Sequence, residues 1–119
     1  MTAVTVYHNP SCGSSRRALE ILADLGVDVD VVAYLRTPPD RATLERLVAG
    51  LVDPVTELVR RDARFAEAGL TDADVATAAQ VVDVLERTPA LLQRPLVVRG
   101  DRVLIGRPTD RIAPFVAGG

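Results

Sequence analysis

The sequence predicts an α/β domain with a mixed four-stranded sheet and a helical insert between the second and third strands. Three observations predict this class. Strand, helix and strand patterns alternate in the first third of the chain, residues 40–88 have helical periodicity, and two short apolar runs near the C-terminus flank a turn. The 119 residues are enough for one domain with its own core. We therefore expect a single domain over residues 1–119.

The first third of the chain has the pattern of a strand, a helix and a second strand. Residues 2–7 alternate polar and apolar side chains, and an Asn-Pro pair ends this strand. A helix is predicted from Ser14 or Ser15, and Gly26 is placed to end it in the left-handed conformation. Residues 27–35 are rich in β-branched side chains and form the second strand. A helix between the two strands implies a right-handed parallel crossover.

The central part of the chain, residues 40–88, is predicted to be wholly helical. Asp53, which precedes a proline, resembles the N-cap of a short helix that continues through Arg61. Thr71 has an aspartate three residues later, which is the capping-box spacing for a last helix that ends at Thr88. The insert is therefore expected to contribute helices to the fold.

The last third of the chain predicts a hairpin and a closing helix. Residues 96–98 and 103–105 form short strands, and the Arg-Gly-Asp-Arg segment between them has the composition of an antiparallel turn. A short helix is expected over residues 110–116. The complete order of elements, with its helical insert after the second strand, fits a small mixed sheet of thioredoxin type.

Composition and charge argue against several classes of function. The formal net charge is −2 at pH 7, without the clustered basic surface that binding to nucleic acid requires. The longest apolar stretch, residues 47–52, is far shorter than the roughly 20 residues of a membrane span. The N-terminus lacks a basic segment followed by a long apolar run, so no secretory signal is predicted. We expect a cytoplasmic protein without membrane association.

The small number of cysteine and histidine residues limits metal chemistry. The chain has one cysteine and one histidine. One cysteine cannot form an internal disulfide or a multi-thiolate zinc site. We expect no structural metal and no bound cofactor.

Residues 8–16, with the sequence HNPSCGSSR, lie between the first strand and the first helix and are the best candidate for a site. Unpaired N–H groups and the positive end of the helix dipole converge there, so a thiolate is stabilised and an anion is attracted. A lone cysteine is often a small buried hydrophobic residue, but the polar and turn residues around Cys12 are poor material for a core. Cys12 is therefore predicted to be a nucleophile with a pKa below about 8.5.

Neighbours of Cys12 are further candidates. His8 is either a solvated residue at a strand end or, if it lies near the loop, an imidazolium that lowers the pKa of the thiol. The hydroxyls of Ser14 and Ser15 either cap the helix or donate hydrogen bonds to a sulfur or an oxyanion. We expect His8 to be a catalytic residue together with Cys12, and Ser15 to bind an oxyanion.

Residues 8–16 resemble the active-site loop of the glutaredoxin-coupled arsenate reductases. The family pattern is His-Asn-Pro, any residue, Cys-Gly, Ser or Thr, Ser-Arg, and this segment matches it throughout. The family also has three arginines, one in a Leu-x-x-Arg pattern and two in Arg-Pro pairs, which match Arg60, Arg94 and Arg107. By analogy with the fold, Pro95 is expected to have a cis peptide bond that faces the loop.

The resemblance implies reduction of arsenate to arsenite, with Cys12 as the attacking nucleophile. It also implies that the three arginines hold the oxyanion, which suits planar guanidinium groups that bind oxyanions through two hydrogen bonds. Because one cysteine cannot resolve its own thiol adduct, the reducing equivalents come from another molecule. The family implies that this molecule is a small thiol such as glutathione, followed by a glutaredoxin.

Two alternative functions are compatible with the same fold. The first is a thiol transferase that acts on glutathione disulfides or another oxyanion, although three arginines exceed what plain disulfide exchange needs. The second is a redox-sensing regulator that binds the transcription machinery. Such regulators usually carry Cys-x-x-Cys, whereas Ser15 occupies the second position here.

The residue after Arg60 is expected to be an ordinary surface charge. Glu57 precedes Arg61 by four residues and can pair with it along a helix. Successive helical residues point about 100° apart, which leaves Arg60 free to face another partner.

Overall fold

The structure, a computed structural model, describes residues 3–117 and contains a sheet with helices on both faces. Thr2, which belongs to the predicted first strand, lies outside the described residues. The strands are β1 (Val4–His8), β2 (Val29–Ala33), β3 (Leu96–Arg99) and β4 (Arg102–Ile105). The helices are α1 (Gly13–Asp24), α2 (Arg41–Gly50), α3 (Ala63–Glu67), α4 (Ala78–Arg87) and α5 (Ile112–Ala117). Short 3₁₀ turns cover Val55–Leu58, Asp72–Val75, Pro89–Leu91 and Thr109–Arg111. The predicted α/β class is confirmed.

The sheet has the strand order β2-β1-β3-β4. β1 is parallel to β2, whereas β3 is antiparallel to both β1 and β4. The predicted mixed sheet and C-terminal hairpin are therefore confirmed. Tyr7 lies opposite Leu96, and Leu96 lies opposite Ile105. Three segments consequently meet at one end of the strands, which we call the edge of the sheet: those that follow β1 and β4 and the one that precedes β3.

Helices bury both faces of this sheet. On one face, Val4 and Val6 belong to a buried cluster with residues of α1 and α5, such as Leu22. On the other face, Tyr7 and Leu96 pack against residues of the insert. Because successive strand residues point to opposite faces, β1 contributes to both clusters and is held rigidly between them.

α1 begins directly after the candidate nucleophile. Cys12 has an extended backbone and occupies the N-cap position. Gly13 is the first helical residue, whereas the sequence predicts a start at Ser14 or Ser15. Gly26 has a φ of +70°, the left-handed conformation expected after the end of this helix. Ala18 and Leu22 are fully buried. Burial of this inner face fixes the N-terminus of α1 against the edge of the sheet.

The prediction that residues 40–88 are wholly helical is wrong around Arg61. The short helix predicted to run through Arg61 is a 3₁₀ turn that ends at Leu58. Val59 then forms an isolated antiparallel bridge with Leu92. Leu92, the bridge partner of Val59, is far away in the sequence. The spacing of apolar residues within the insert cannot reveal such a distant partner.

The predicted last helix of the insert is also divided. Thr71 precedes a 3₁₀ turn, and α4 begins only after a second cap at Thr77. The Thr77 hydroxyl accepts a hydrogen bond from the Gln80 N–H at 3.3 Å. Two capping signals six residues apart therefore produce a turn followed by a helix.

Asp53 is not the helix cap that the sequence predicts. Its carboxylate accepts a hydrogen bond from the Ile105 N–H at 3.0 Å and pairs with Arg111 Nη2 at 2.6 Å. Arg111 Nη1 also donates to the Ile105 carbonyl at 2.8 Å. Asp53 thus ties the insert to the end of β4, two residues before Arg107.

We expect Asp53→Ala to lower the free energy of unfolding by about 1.5–3 kcal/mol, because a half-buried guanidinium and a backbone N–H both lose their charged acceptor. Urea denaturation checks this. Asp24→Ala, which removes an exposed carboxylate at the end of α1, is the matched control and should change little. Equal unfolding midpoints for the two variants would contradict the role of Asp53.

The remaining boundaries differ by one or a few residues from those predicted. The predicted closing helix is a 3₁₀ turn followed by α5. Within residues 3–117, no helix is long and apolar enough to cross a membrane. The same residues contain no group of three or more His, Cys, Asp or Glu side chains that could hold a metal ion.

Candidate active site

Cys12 lies where the three loops at the edge of the sheet meet. It occupies the N-cap of α1, its N–H donates to the Asn9 carbonyl at 3.0 Å, and its own carbonyl accepts the Arg16 N–H at 3.0 Å. The side chain is half-buried and is a free thiol. Cys12 therefore presents a sulfur to the positive end of a twelve-residue helix.

The loop that carries Cys12 is fixed by side chains on both sides of it. The Ser11 N–H donates to Asn9 Oδ1 at 2.9 Å, and the Asn9 N–H donates to Ser15 Oγ at 3.2 Å. Arg16 Nη1 donates to the Pro10 carbonyl at 2.8 Å. These contacts hold the backbone around the sulfur in one conformation.

The structure changes the interpretation of Ser15. Its side chain is fully buried and its hydroxyl accepts the hydrogen bond from Asn9, so Ser15 is part of the framework of the Cys12 loop. Oxyanion binding by this hydroxyl stays a prediction. Ser15 acts on the site through its backbone N–H, which bonds to the sulfur of Cys12.

Hydrogen bonds and positive charge activate the Cys12 thiol. Burial raises its pKa, but the Ser15 N–H, the Arg94 guanidinium and the Ser14 N–H lower it by more, from the ordinary value of 9.0 to about 7. Each of these groups favours the charged form of the sulfur. At neutral pH a large fraction of Cys12 is therefore thiolate.

Arg94 and Arg107 both lie beside the sulfur. Arg107 Nη1 is 3.7 Å from Cys12 Sγ and 3.4 Å from the Arg94 carbonyl. The peptide bonds from Arg94 to Pro95 and from Arg107 to Pro108 are both cis. Arg107 is exposed, whereas Arg94 is partly buried. The loops before β3 and after β4 thus bring two guanidinium groups to the Cys12 sulfur, and the guanidinium of Arg107 faces solvent.

Arg60 joins this group through intermediate side chains. Its Nη1 donates to Gln93 Oε1 at 3.1 Å, and its Nε lies 3.6 Å from Asp62 Oδ2. Arg60 and Arg94 both act on the hydroxyl of Tyr34. The structure therefore places Arg60 in the same cluster as Arg94, whereas its direct contacts are with Gln93 and Asp62.

His8 lies at the end of β1 but differs from the imidazolium considered above. Burial and then the charge of Arg16 lower the pKa of His8 below its usual 6.5, so its ring is neutral at pH 7. A neutral ring supplies no positive charge to Cys12. The thiol pKa is lowered instead by the backbone N–H groups of Ser14 and Ser15 and by Arg94.

Tyr34 is a site residue that the sequence did not reveal. Its side chain is fully buried. Burial raises its pKa, while Arg94, the Asn9 side chain and Arg60 act in the opposite direction. Tyr34 therefore lies among the arginines and the Cys12 loop. At the end of a predicted strand it has only the signature of a core aromatic residue, so no local signal could have found it.

Arg61 is exposed, as predicted, but it pairs with Asp72 and not with Glu57. Its Nη1 donates to the carbonyls of Thr56 and Val59, each at 2.6 Å, and its Nε donates to Asp72 at 3.2 Å. Its guanidinium carbon lies 5.2 Å from the centre of the Phe65 ring. Because the chain is not helical here, residue 57 is not its neighbour along a helix face, and the carbonyls of the turn bind Arg61 instead.

We expect the Cys12 thiol to titrate near pH 7, and Arg94→Ala to raise this midpoint because a hydrogen bond and a positive charge that favour thiolate are lost. Ultraviolet thiolate absorbance against pH measures both. The reactive fraction, and with it any Cys12-dependent rate, should rise through pH 7. A midpoint of the unsubstituted protein at or above about 8.5, the value of an unperturbed thiol, would contradict the activation of Cys12.

Comparison with known proteins identifies relatives over almost the whole chain. The ArsC family matches residues 7–115. An arsenate reductase from Escherichia coli is 37% identical over 111 residues, which cover 92% of this chain and 78% of that protein. The uncharacterized protein YfgD from Escherichia coli strain K12 is 36% identical over 115 residues, which cover 95% and 96% of the two chains. The predicted resemblance in sequence is thus confirmed.

Solved structures give the same result for the fold. The structure of an arsenate reductase from Vibrio cholerae matches with a TM-score of 0.83 and 30% sequence identity, and the match covers 93% of this chain and 95% of that one. A putative arsenate reductase from Yersinia pestis matches with a TM-score of 0.80 and 33% identity over 92% and 96% of the two chains. The predicted thioredoxin-like fold is therefore confirmed.

Proposed function

This chain belongs to the ArsC family, and on that basis we propose that it reduces arsenate to arsenite through an adduct on Cys12 that an external thiol resolves. The observation that carries the proposal is the guanidinium of Arg107 at 3.7 Å from a Cys12 sulfur whose pKa is about 7. A thiolate beside cationic hydrogen-bond donors suits attack on an oxyanion, because the same groups that stabilise the nucleophile attract the substrate.

Arginine side chains and the start of α1 are proposed to hold arsenate. Arg107 is exposed to incoming substrate, and Arg94 has a buried Nε without a hydrogen-bond partner among the described residues. Arg60 is proposed to contribute its charge without direct contact to arsenate, since Gln93 and Asp62 occupy part of its guanidinium. The positive charge of three guanidinium groups compensates the combined negative charge of thiolate and arsenate.

In the proposed first step, Cys12 Sγ attacks arsenic. A sulfur–arsenic bond forms and an arsenic–oxygen bond breaks, with the oxygen leaving as hydroxide that becomes water on protonation. Arsenic keeps its +5 state in this step. Arg94 and Arg107 stabilise the oxygen atoms that carry the negative charge.

In the proposed second step, the thiolate of an external small thiol attacks the adduct at Cys12 Sγ. A sulfur–sulfur bond forms, the sulfur–arsenic bond breaks, and its electron pair remains on arsenic, which becomes arsenite. Cys12 and the external thiol are thereby oxidised to a mixed disulfide. A second thiolate, that of a glutaredoxin, then attacks this disulfide and releases Cys12.

The external thiol is required because the chain has one cysteine, which supplies one of the two electrons. Glutathione and a glutaredoxin are the proposed donors, and no bound cofactor is needed because thiols carry both electrons. We propose that the protein acts in the cytoplasm, where the thiol pool is kept reduced.

A coupled assay with arsenate, glutathione, glutaredoxin, glutathione reductase and NADPH tests this function, and we expect NADPH oxidation that depends on arsenate and on the protein. Replacing arsenate with a small disulfide tests the thiol transferase, and capture of RNA polymerase tests the regulator. Disulfide turnover or polymerase capture without arsenate turnover would overturn the proposal.

A further inference from the structure

A cavity of about 340 Å³ has Arg107, which lies beside the proposed catalytic sulfur, as part of its wall. We propose that this cavity, which we call the thiol pocket, binds the non-reacting part of the external thiol, and that it favours a small thiol with carboxylate and ammonium groups. The inference rests on the proposed function, because that reaction needs a second thiol to approach Cys12. The residues that carry the argument are Thr56, Glu57, Arg61, Gln93 and Arg107.

Arg107 links the thiol pocket to the nucleophile. This side chain lines the cavity, and its Nη1 lies 3.7 Å from Cys12 Sγ. Gln93, on another wall, accepts a hydrogen bond from Arg60 at its side chain and donates its N–H to the Leu58 carbonyl at 2.8 Å. A molecule held in the pocket can therefore contact the guanidinium that lies beside Cys12, and hydrogen bonds hold the Gln93 wall of the pocket in place.

Arg61 gives the thiol pocket a rigid positive charge. Its donors bind the Thr56 and Val59 carbonyls, the Thr56 hydroxyl at 2.7 Å and the Asp72 carboxylate. A guanidinium has five N–H donors, and four are used in these contacts. One donor on Nη2 is left over among the described residues. A guanidinium that is already immobilised loses little side-chain entropy when it binds a ligand carboxylate.

The charges around the thiol pocket define the class of ligand. Arg61 and Arg107 suit a carboxylate, and the exposed carboxylate of Glu57 suits an ammonium group. The volume of about 340 Å³ is in the range of pockets for small ligands. A peptide thiol such as glutathione carries both kinds of group, whereas an uncharged thiol such as 2-mercaptoethanol carries neither.

Direct binding of S-methylglutathione, which has the charged groups but no free thiol, tests the pocket without any turnover. We expect amide chemical shifts to change at Thr56, Glu57 and Gln93 in NMR titrations. Glu57→Gln should weaken binding about tenfold, the effect of losing one charge-assisted hydrogen bond. Glu67→Gln, which removes an exposed carboxylate of α3 outside the pocket, is the matched control and should bind like the unsubstituted protein. Shifts confined to other regions, or equal affinity for both variants, would overturn the proposal.

Turnover separates the thiol pocket from the proposed function. We expect Glu57→Gln to lower the ratio of kcat/KM for glutathione to kcat/KM for 2-mercaptoethanol about tenfold, and Glu67→Gln to leave it unchanged. Arsenate turnover with an unchanged ratio in Glu57→Gln would overturn the pocket and retain the function. Binding of S-methylglutathione at the pocket without arsenate turnover by any thiol would support the pocket and overturn the function.

Discussion

Cys12→Ser is expected to abolish arsenate turnover, with a loss of about a thousandfold or more. A serine hydroxyl keeps the size and the hydrogen bonds of the side chain but is not ionised near pH 7, so the attacking anion is lost. A thousandfold loss corresponds to about 4 kcal/mol in the free energy of activation. The NADPH-coupled assay measures it, at a protein concentration high enough to detect the residual rate.

The matched control for this variant is Ser11→Ala. Ser11 is exposed and contributes its backbone N–H, rather than its hydroxyl, to the hydrogen bond with Asn9. The control should therefore keep nearly full activity, and circular dichroism should show both variants folded. Activity of Cys12→Ser comparable to that of the control would exclude Cys12 as the nucleophile.

Arg94→Ala and Arg107→Ala are each expected to lower kcat/KM for arsenate about ten- to a hundredfold. The basis is the loss of one charge-assisted hydrogen bond, which contributes about 1.5–3 kcal/mol. Steady-state kinetics with arsenate as the varied substrate measure both losses. Arg102→Ala removes the same charge at the opposite end of β4 and should have little effect. There Arg102 lies opposite Arg99 in the strand register, next to the hairpin turn.

The two arginine variants should differ in their dependence on pH. Arg94 lowers the pKa of Cys12, so Arg94→Ala should need a higher pH for the same thiolate fraction and should recover part of its activity as the pH rises. Arg107, which is exposed, should affect mainly the KM for arsenate. Equal kcat/KM in Arg94→Ala, Arg107→Ala and Arg102→Ala would contradict the assignment of the oxyanion site.

The elements that could be predicted from the sequence are those with strong local signals. β1 and β4 have short runs of β-branched and apolar residues, and Gly26 marks the end of α1 through its left-handed conformation. The insert was less predictable because its turns depend on distant partners. Asp53 has the local pattern of a helix cap, yet Ile105 and Arg111 bind its carboxylate from the end of β4.

The candidate site shows the same division. The residue types around Cys12 and their position before a helix predicted an activated thiol, and the family resemblance predicted Arg94 and Arg107 nearby. Tyr34 and Gln93 could not be found, because their role depends on tertiary contacts with arginines from other segments. The neutral state of the His8 ring likewise follows from burial and from the position of Arg16, which sequence spacing does not define.

The central claim, that Cys12 reduces arsenate only together with an external thiol, is tested most directly by the yield of arsenite from prereduced protein freed of small thiols. Each chain has one thiol, so two chains that form an intermolecular disulfide can produce at most one arsenite. We expect no multiple turnover under these conditions and continuous turnover when glutathione is added. More than one arsenite per two chains in the absence of any external thiol would contradict the claim.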